Sequence, residues 1–156
     1  GPVIDEDSAK RIETWIAQAL GSGAKCLLGG PRVGTFIPPH ILANVLASSE
    51  ICTEEIFGPV VIIQSVPTFD EGLRQAQTTR YGLRSSAYTN KMNSLFEAQK
   101  ALRAGGVMIN LPPTYRVDSA PFGGVGASGV GIEGPRWALE FFSEKRLIAY
   151  APPPKS

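Results

Sequence analysis

Apolar residues recur three and four positions apart near the start of the chain, at Ile12, Trp15, Ile16, Ala19 and Leu20, behind Asp5-Glu6-Asp7 and ahead of Gly21. That spacing predicts an amphipathic helix with one core-facing stripe, capped by the acids and stopped at the glycine. Lys25-Cys26-Leu27-Leu28 reads as a short strand ended by Gly29-Gly30-Pro31, with Cys26 serving as a small hydrophobe. Pro38 and Pro39 forbid a regular helix over 36–45 and leave that stretch extended or irregular. The densest apolar run, Val60-Val61-Ile62-Ile63, opens a strand over 60–66.

Thr68-Phe69-Asp70-Glu71 has the S/T-x-x-E form of a capping box and predicts a helix through Gln77, ended by Tyr81-Gly82. A strand follows over 85–89. Asn90 is placed to cap a helix carrying Met92, Leu95, Phe96 and Leu102, and Gly105-Gly106 stops that helix before a strand over 107–110. Strand and helix alternate here, which argues for an α/β fold: a three-layer-like open sheet of mostly parallel strands with flanking helices and right-handed crossovers. Sites in such sheets gather at the carboxyl ends of strands, where Asn110 stands. Residues 111–130 are loop-like and long enough to suggest function. Gly134-Pro135 then opens a helix through Phe142, with Trp137, Ala138, Phe141 and Phe142 on its apolar face. A last strand over 146–150 is expected to complete a sheet edge in this chain or in a partner. The domain reading is one body over 1–145, then a strand and tail over 146–156 that can serve oligomerisation.

The 156 residues suffice for about one domain with a core, and the net charge of +1 comes from scattered acids and bases. No basic stripe suits nucleic acid, and no apolar run approaches the roughly 18 residues that cross a bilayer. The cytoplasm is therefore the expected compartment. Cys26 and Cys52 lie far apart without a CxxC partner, which argues against a disulfide framework or a metal site. His40 has no second ligand nearby and reads as a packing or surface residue.

Candidate chemistry centres on Glu54-Glu55-Ile56-Phe57-Gly58-Pro59, where two carboxylates and an aromatic stand at the mouth of a buried strand. Such a group can accept hydrogen bonds from ligand hydroxyls and cover a ligand ring, although a loop acid beside a core Phe is the alternative. Gly124-x-Gly126-x-x-Gly129 matches the dinucleotide fingerprint in letters but lacks its strand-to-helix context, and reads as a turn that lets backbones approach closely. Cys52 makes a poor nucleophile because the neighbouring carboxylates would raise its pKa. The residues carry no self-sufficient catalytic constellation, so they read as part of an α/β enzyme.

The same run resembles the EEIFGPV segment of the NAD(P)-dependent aldehyde dehydrogenases. Other segments agree in order: Gly1-Pro2-Val3-Ile4-Asp5 with that family's GPxID, residues 23–30 with its GAKxLxGG, Tyr81-Gly82-Leu83 with its YGL, Asn110 with the Asn after its WVN-type strand, and Pro121-Phe122-Gly123-Gly124 with Ser128-Gly129 with its PFGGxKxSG. The likeness covers nearly the whole chain and implies the C-terminal part of the catalytic domain. By position, Glu55 would bind the nicotinamide-ribose hydroxyls of NAD or NADP and Phe57 would pack by the nicotinamide. Asn110, Tyr115, Arg116 and Phe122 would wall the aldehyde channel, Arg116 meeting a substrate hydroxyl or phosphate or standing solvated. Glu144 would lie near a homo-oligomer contact.

The resemblance also implies that the family's cofactor-binding Rossmann domain, catalytic cysteine and general-base glutamate correspond to sequence upstream of Gly1. None of the catalytic groups is then expected in this chain, which would be inactive alone and would not bind cofactor alone. Two departures stand out: Gly126 replaces the lysine of PFGGxK, and Ile132 replaces the arginine of the GxGRE that follows. The stretch from Asn110 to Gly124 looks most like bacterial lactaldehyde or glyceraldehyde-3-phosphate-type members. Two other readings stay open, a non-catalytic assembly or lid domain of the same fold and a free-standing small-ligand module; the upstream sequence separates the first from an enzyme and calorimetry with NAD tests the second.

Overall fold

A computed structural model describes residues 1–152. In chain order the elements are α1 (Glu6–Gly21), β1 (Lys25–Leu28), β2 (His40–Ala43), α2 (Glu50–Thr53), β3 (Val60–Ile63), α3 (Phe69–Ala76), β4 (Tyr81–Gly82), β5 (Arg84–Ala87), α4 (Met92–Ala101), β6 (Gly106–Ile109), β7 (Phe122–Gly123), β8 (Val125–Gly126), β9 (Ile132–Glu133) and α5 (Pro135–Phe141). The α/β class is as the alternation of patterns predicts. The chain divides into two compact units, Gly1–Gly72 and the residues from Leu73 onward.

In the first unit, α1 begins where expected. The Asp5 carboxylate accepts from the Ser8 N–H at 2.7 Å, and hydrogen bonding from the Ser8 side chain first and from this N–H second lowers the Asp5 pKa. Ala9, Ile12, Ile16 and Ala19 form its buried stripe and pack with Ile37, Leu42, Val45 and Ile51. Each Val, Leu or Ile side chain so buried contributes about 1.5–3 kcal/mol. Trp15 joins this core only partly and Leu20 is exposed, so the buried stripe runs along α1 through Ala9, Ile12, Ile16 and Ala19. The sheet has the order β1-β2-β3, antiparallel then parallel, and the β2–β3 register pairs His40 with Val60. The strand predicted over 60–66 ends at Ile63. Cys26, on β1 as expected, is exposed, its thiol donating to the Leu28 carbonyl at 3.2 Å.

In the second unit, β5 and β6 pair in parallel across α4, with Arg84 opposite Gly106 and Ala87 opposite Ile109. At the start of α3, on residues of the first unit, the Thr68 hydroxyl accepts from the Glu71 N–H at 3.2 Å, the N-cap half of the predicted capping box. Asn90, however, is not the cap of α4. Lys91 occupies that position without a side-chain cap bond, while the Thr89 hydroxyl accepts from the Lys91 N–H at 3.1 Å. Tyr81-Gly82 is more than a helix stop, because it forms β4 and pairs antiparallel with β8. The glycine-rich stretch folds into strand pairs with no helix opening from it, as a non-Rossmann reading requires: β7 pairs with β9 and β8 with β4. A Cβ on Gly123 would stand 2.4 Å from the Gly131 carbonyl oxygen, so the close backbone approach demands glycine.

Helix α5 starts at Pro135 after Gly134 as predicted, yet none of its residues is buried. Phe141 and Phe142 are 83% and 84% exposed. No strand forms over 146–150 among the described residues. Residues 153–156 of the expected tail lie outside the described residues.

Candidate functional site

The acidic-aromatic loop sits on a built foundation in the first unit. Its inner side is anchored: Arg11 donates to the Ile56 carbonyl at 3.0 Å while stacking on Trp15, and the Pro59 carbonyl accepts from the His40 N–H at 2.8 Å. Ile56 packs against the core, and Gly58 passes so near Ile12 that a Cβ would stand 2.6 Å from Cδ1. Between these anchors the chain turns outward. Phe57 adopts φ 47°, a left-handed conformation that costs a side-chain-bearing residue about 1–2 kcal/mol, and its side chain is 75% exposed. Glu55 beside it is also exposed. Phe57 is thus exposed and not a core residue. A strained, solvent-facing aromatic next to an exposed carboxylate suits ligand contact, since strain persists where the surroundings over-determine it.

Cys52, on α2, has its thiol pKa pushed up, and the cause differs from the one the sequence suggests. Burial is the main reason, partly opposed by a hydrogen bond with Ser49, and the carboxylates two and three residues on do not contribute. The thiol is held neutral and makes a poor nucleophile either way. His40 is buried, its Nδ1 lying 2.7 Å from the Pro38 carbonyl, in line with a packing role.

In the second unit the channel candidates converge in part. Phe122 on β7 is flanked by two guanidinium groups, Arg116 at 4.4 Å and Arg84 at 4.7 Å from the ring centroid. Glu133, directly across the β7–β9 ladder from Phe122, meets Arg116 at 3.5 Å. This cluster carries one net positive charge at a loop, a setting suited to a hydroxyl or an anionic group. The sequence pointed to Arg116 and Phe122 but not to Arg84. The register explains the difference: Arg84 faces Gly106 across the ladder, and a Cβ on Gly106 would stand 2.6 Å from its guanidinium, so that glycine makes its room. Tyr115 is exposed, with its N–H bonded to the Pro112 carbonyl at 3.0 Å.

Asn110 is used differently. At φ 56° its side chain accepts from the Thr89 N–H at 2.8 Å and donates to the Thr89 carbonyl at 2.9 Å, extending the β5–β6 pair by one side-chain-mediated rung. Glu144 lies exposed beyond α5. No group of three or more acidic, histidine or cysteine side chains could hold a metal ion among the described residues, and no described helix is long and apolar enough to cross a membrane.

Parallel strand pairs with helical crossovers, bearing aromatic and charged side chains on the loops that flank them, define a portion of an α/β enzyme domain. The aldehyde dehydrogenase family model matches residues 1–148. The 3-sulfolactaldehyde dehydrogenase of Priestia aryabhattai is 40% identical over 148 residues, which cover 95% of this chain and 31% of that protein. Among solved structures, aldehyde dehydrogenase 21 from Physcomitrella patens, in complex with the reaction product succinate, superposes with a TM-score of 0.85 at 41% identity, covering 90% of this chain and 29% of that one. A glyceraldehyde-3-phosphate dehydrogenase from Methanocaldococcus jannaschii complexed with NADP gives 0.83 at 38% identity, covering 90% and 30%. The chain belongs to the aldehyde dehydrogenase family, and it spans about 31% of the length of the curated relatives it matches.

Proposed function

We propose that this chain is the C-terminal portion of the catalytic domain of an NAD(P)-dependent aldehyde dehydrogenase, an enzyme that oxidises an aldehyde to a carboxylic acid. The observation that carries the reading is Phe57, held at φ 47° with its ring in solvent beside the exposed Glu55. An exposed carboxylate accepts hydrogen bonds from the ribose hydroxyls, and an exposed ring packs against the nicotinamide, so both residues fit NAD or NADP. The cofactor, when bound, supplies the hydride acceptor. Arg11, holding the Ile56 carbonyl, fixes the loop that presents them.

Arg116, Arg84 and Phe122 support a small aldehyde bearing a hydroxyl or anionic group, as the names of the sulfolactaldehyde and succinate-bound relatives also suggest. Tyr115 lines the same loop, and Asn110 acts by pinning it to Thr89. The exposed α5 face and the apolar residues Leu147 and Tyr150, 92% and 90% exposed, support a homo-oligomer contact in which Glu144 takes part. The cytoplasm is the compartment we expect. The catalytic cysteine and general base would come from sequence outside this chain.

The test has two arms. The 156-residue chain mixed with NAD or NADP and lactaldehyde is expected to form no reduced nicotinamide; formation that survives Cys52→Ser would overturn the reading. In the full reading frame, Glu55→Gln is expected to raise the KM for cofactor about ten-fold, the loss of charge-assisted hydrogen bonds. An unchanged cofactor KM would remove Glu55 from that role.

A further inference from the structure

Arg84 and Ser86 alternate with Ser85 along β5 and therefore share one face of the β5–β6 pair, where the register sets them opposite Gly106 and Met108. The Ser86 hydroxyl oxygen is buried and has no hydrogen-bond partner. Arg84 is half-buried and brings five N–H donors to the same face. Among the described residues the acceptor it reaches is the Met108 sulfur, 4.0 Å from a terminal nitrogen, and its other contact is the Phe122 ring. A thioether is a weak acceptor, so it satisfies the guanidinium poorly. Neighbouring strands run about 4.8 Å apart, which brings the Ser86 side chain beside that of Met108.

One change at the sulfur supplies what both donors lack. A sulfoxide carries a strongly polar oxygen, and on Met108 that oxygen lies where a guanidinium and a hydroxyl have donors to give it. Oxidation of a half-buried methionine ordinarily disrupts its surroundings by setting a polar group among apolar ones. On this face the polar partners are already in place, and one of them, Ser86, is unsatisfied until the oxygen arrives.

We propose that Met108 is a site of reversible oxidation whose sulfoxide oxygen is held by Arg84 and Ser86. The oxidant is a hydroperoxide. A sulfur lone pair attacks one peroxide oxygen, the O–O bond breaks, and the other oxygen leaves with the electron pair and takes up a proton, so that sulfur loses two electrons and, with hydrogen peroxide, water is released. A dithiol reductant reverses the change, becoming a disulfide as the sulfoxide oxygen departs as water. Turned toward the sulfoxide, Arg84 is drawn off Phe122, and the oxidation state of Met108 thereby reaches the cluster that Phe122 forms with Arg116 and Glu133.

The test uses the whole chain carrying Met92→Leu, since Met92, 66% exposed, is the other methionine. Hydrogen peroxide is expected to convert Met108 in the folded chain, as peptide mass spectrometry reads, and methionine sulfoxide reductase to restore it. Urea unfolding before and after oxidation measures what the sulfoxide does to the folding equilibrium. Ser86→Ala removes the unpartnered hydroxyl, and in that background oxidation should lower the folding constant about five-fold more than it does with serine present, the effect of one hydrogen bond. NMR supplies an independent reading: the Phe122 ring signals should move on oxidation, and should not move in Arg84→Gln. No conversion of Met108 at peroxide levels that oxidise Met92 in the unsubstituted chain, an equal effect of oxidation with and without the Ser86 hydroxyl, or Phe122 signals that ignore oxidation would overturn the proposal.

Discussion

Replacing Asn110 by alanine removes two hydrogen bonds, of 2.8 and 2.9 Å, that tie the end of β6 to both backbone groups of Thr89. Each is worth about 0.5–1.5 kcal/mol net, and the exposure of Asn110 favours the lower half of that range. Alanine must also hold φ 56° without the local hydrogen bonding that lets asparagine visit this region, which adds up to about 1 kcal/mol. The expected loss is about 2 kcal/mol. Two further substitutions separate the contributions. Asn110→Gly loses the same bonds but adopts φ 56° freely, so it should cost less than alanine. Asn110→Asp keeps the acceptor for the Thr89 N–H but sets an oxygen against the Thr89 carbonyl. Urea unfolding gives the stabilities, and amide exchange at Thr89 and Lys91 reads the rung directly. A loss below about 0.5 kcal/mol for alanine, with Thr89 protection unchanged, would refute the account, since it would leave both bonds without net worth.

Other expectations follow from single contacts. Asp5 has its pKa lowered by the Ser8 contacts, so the stability it gives α1 is present above the unfolded carboxylate value and is lost as pH falls through the folded one. Asp5→Asn keeps a good cap and should flatten that acid limb in a circular-dichroism pH titration. Gly105→Ala should unfold the second unit, because the new Cβ would stand 1.7 Å from the Gly123 carbonyl oxygen; soluble expression with native NMR dispersion would contradict it. With its pKa raised by burial, Cys52 should be alkylated far more slowly than the exposed Cys26 near neutral pH, as peptide mass spectrometry can show.

Local signals carried much of this molecule. Periodicity and an acidic start placed α1, the capping box placed α3, and β-branched runs and alternation gave parallel strands joined by helices, because these depend on residues close in sequence. The ordered motifs likewise pointed to the family. Where neighbours alone do not decide, the reading failed. Cys26 reads as a small hydrophobe on a strand, but only the position of β1 in its sheet determines that it faces solvent. Asn90 had the chemistry of a cap, yet Thr89 holds the start of α4 and is itself held by Asn110, twenty-one residues away.

What the sequence by itself determined was which segments can be helix or strand, and that the Glu54 to Pro59 run pairs acids with an aromatic before a strand. Tertiary structure decided what that run exposes. Gly58 against Ile12, Arg11 on the Ile56 carbonyl and His40 on Pro59 fix the loop from segments 19 to 46 residues distant, and these anchors turn Phe57 outward. The companionship of Arg84 and Phe122 is of the same kind: register across β5 and β6 sets it, and register is a property of packed strands rather than of any one stretch of chain.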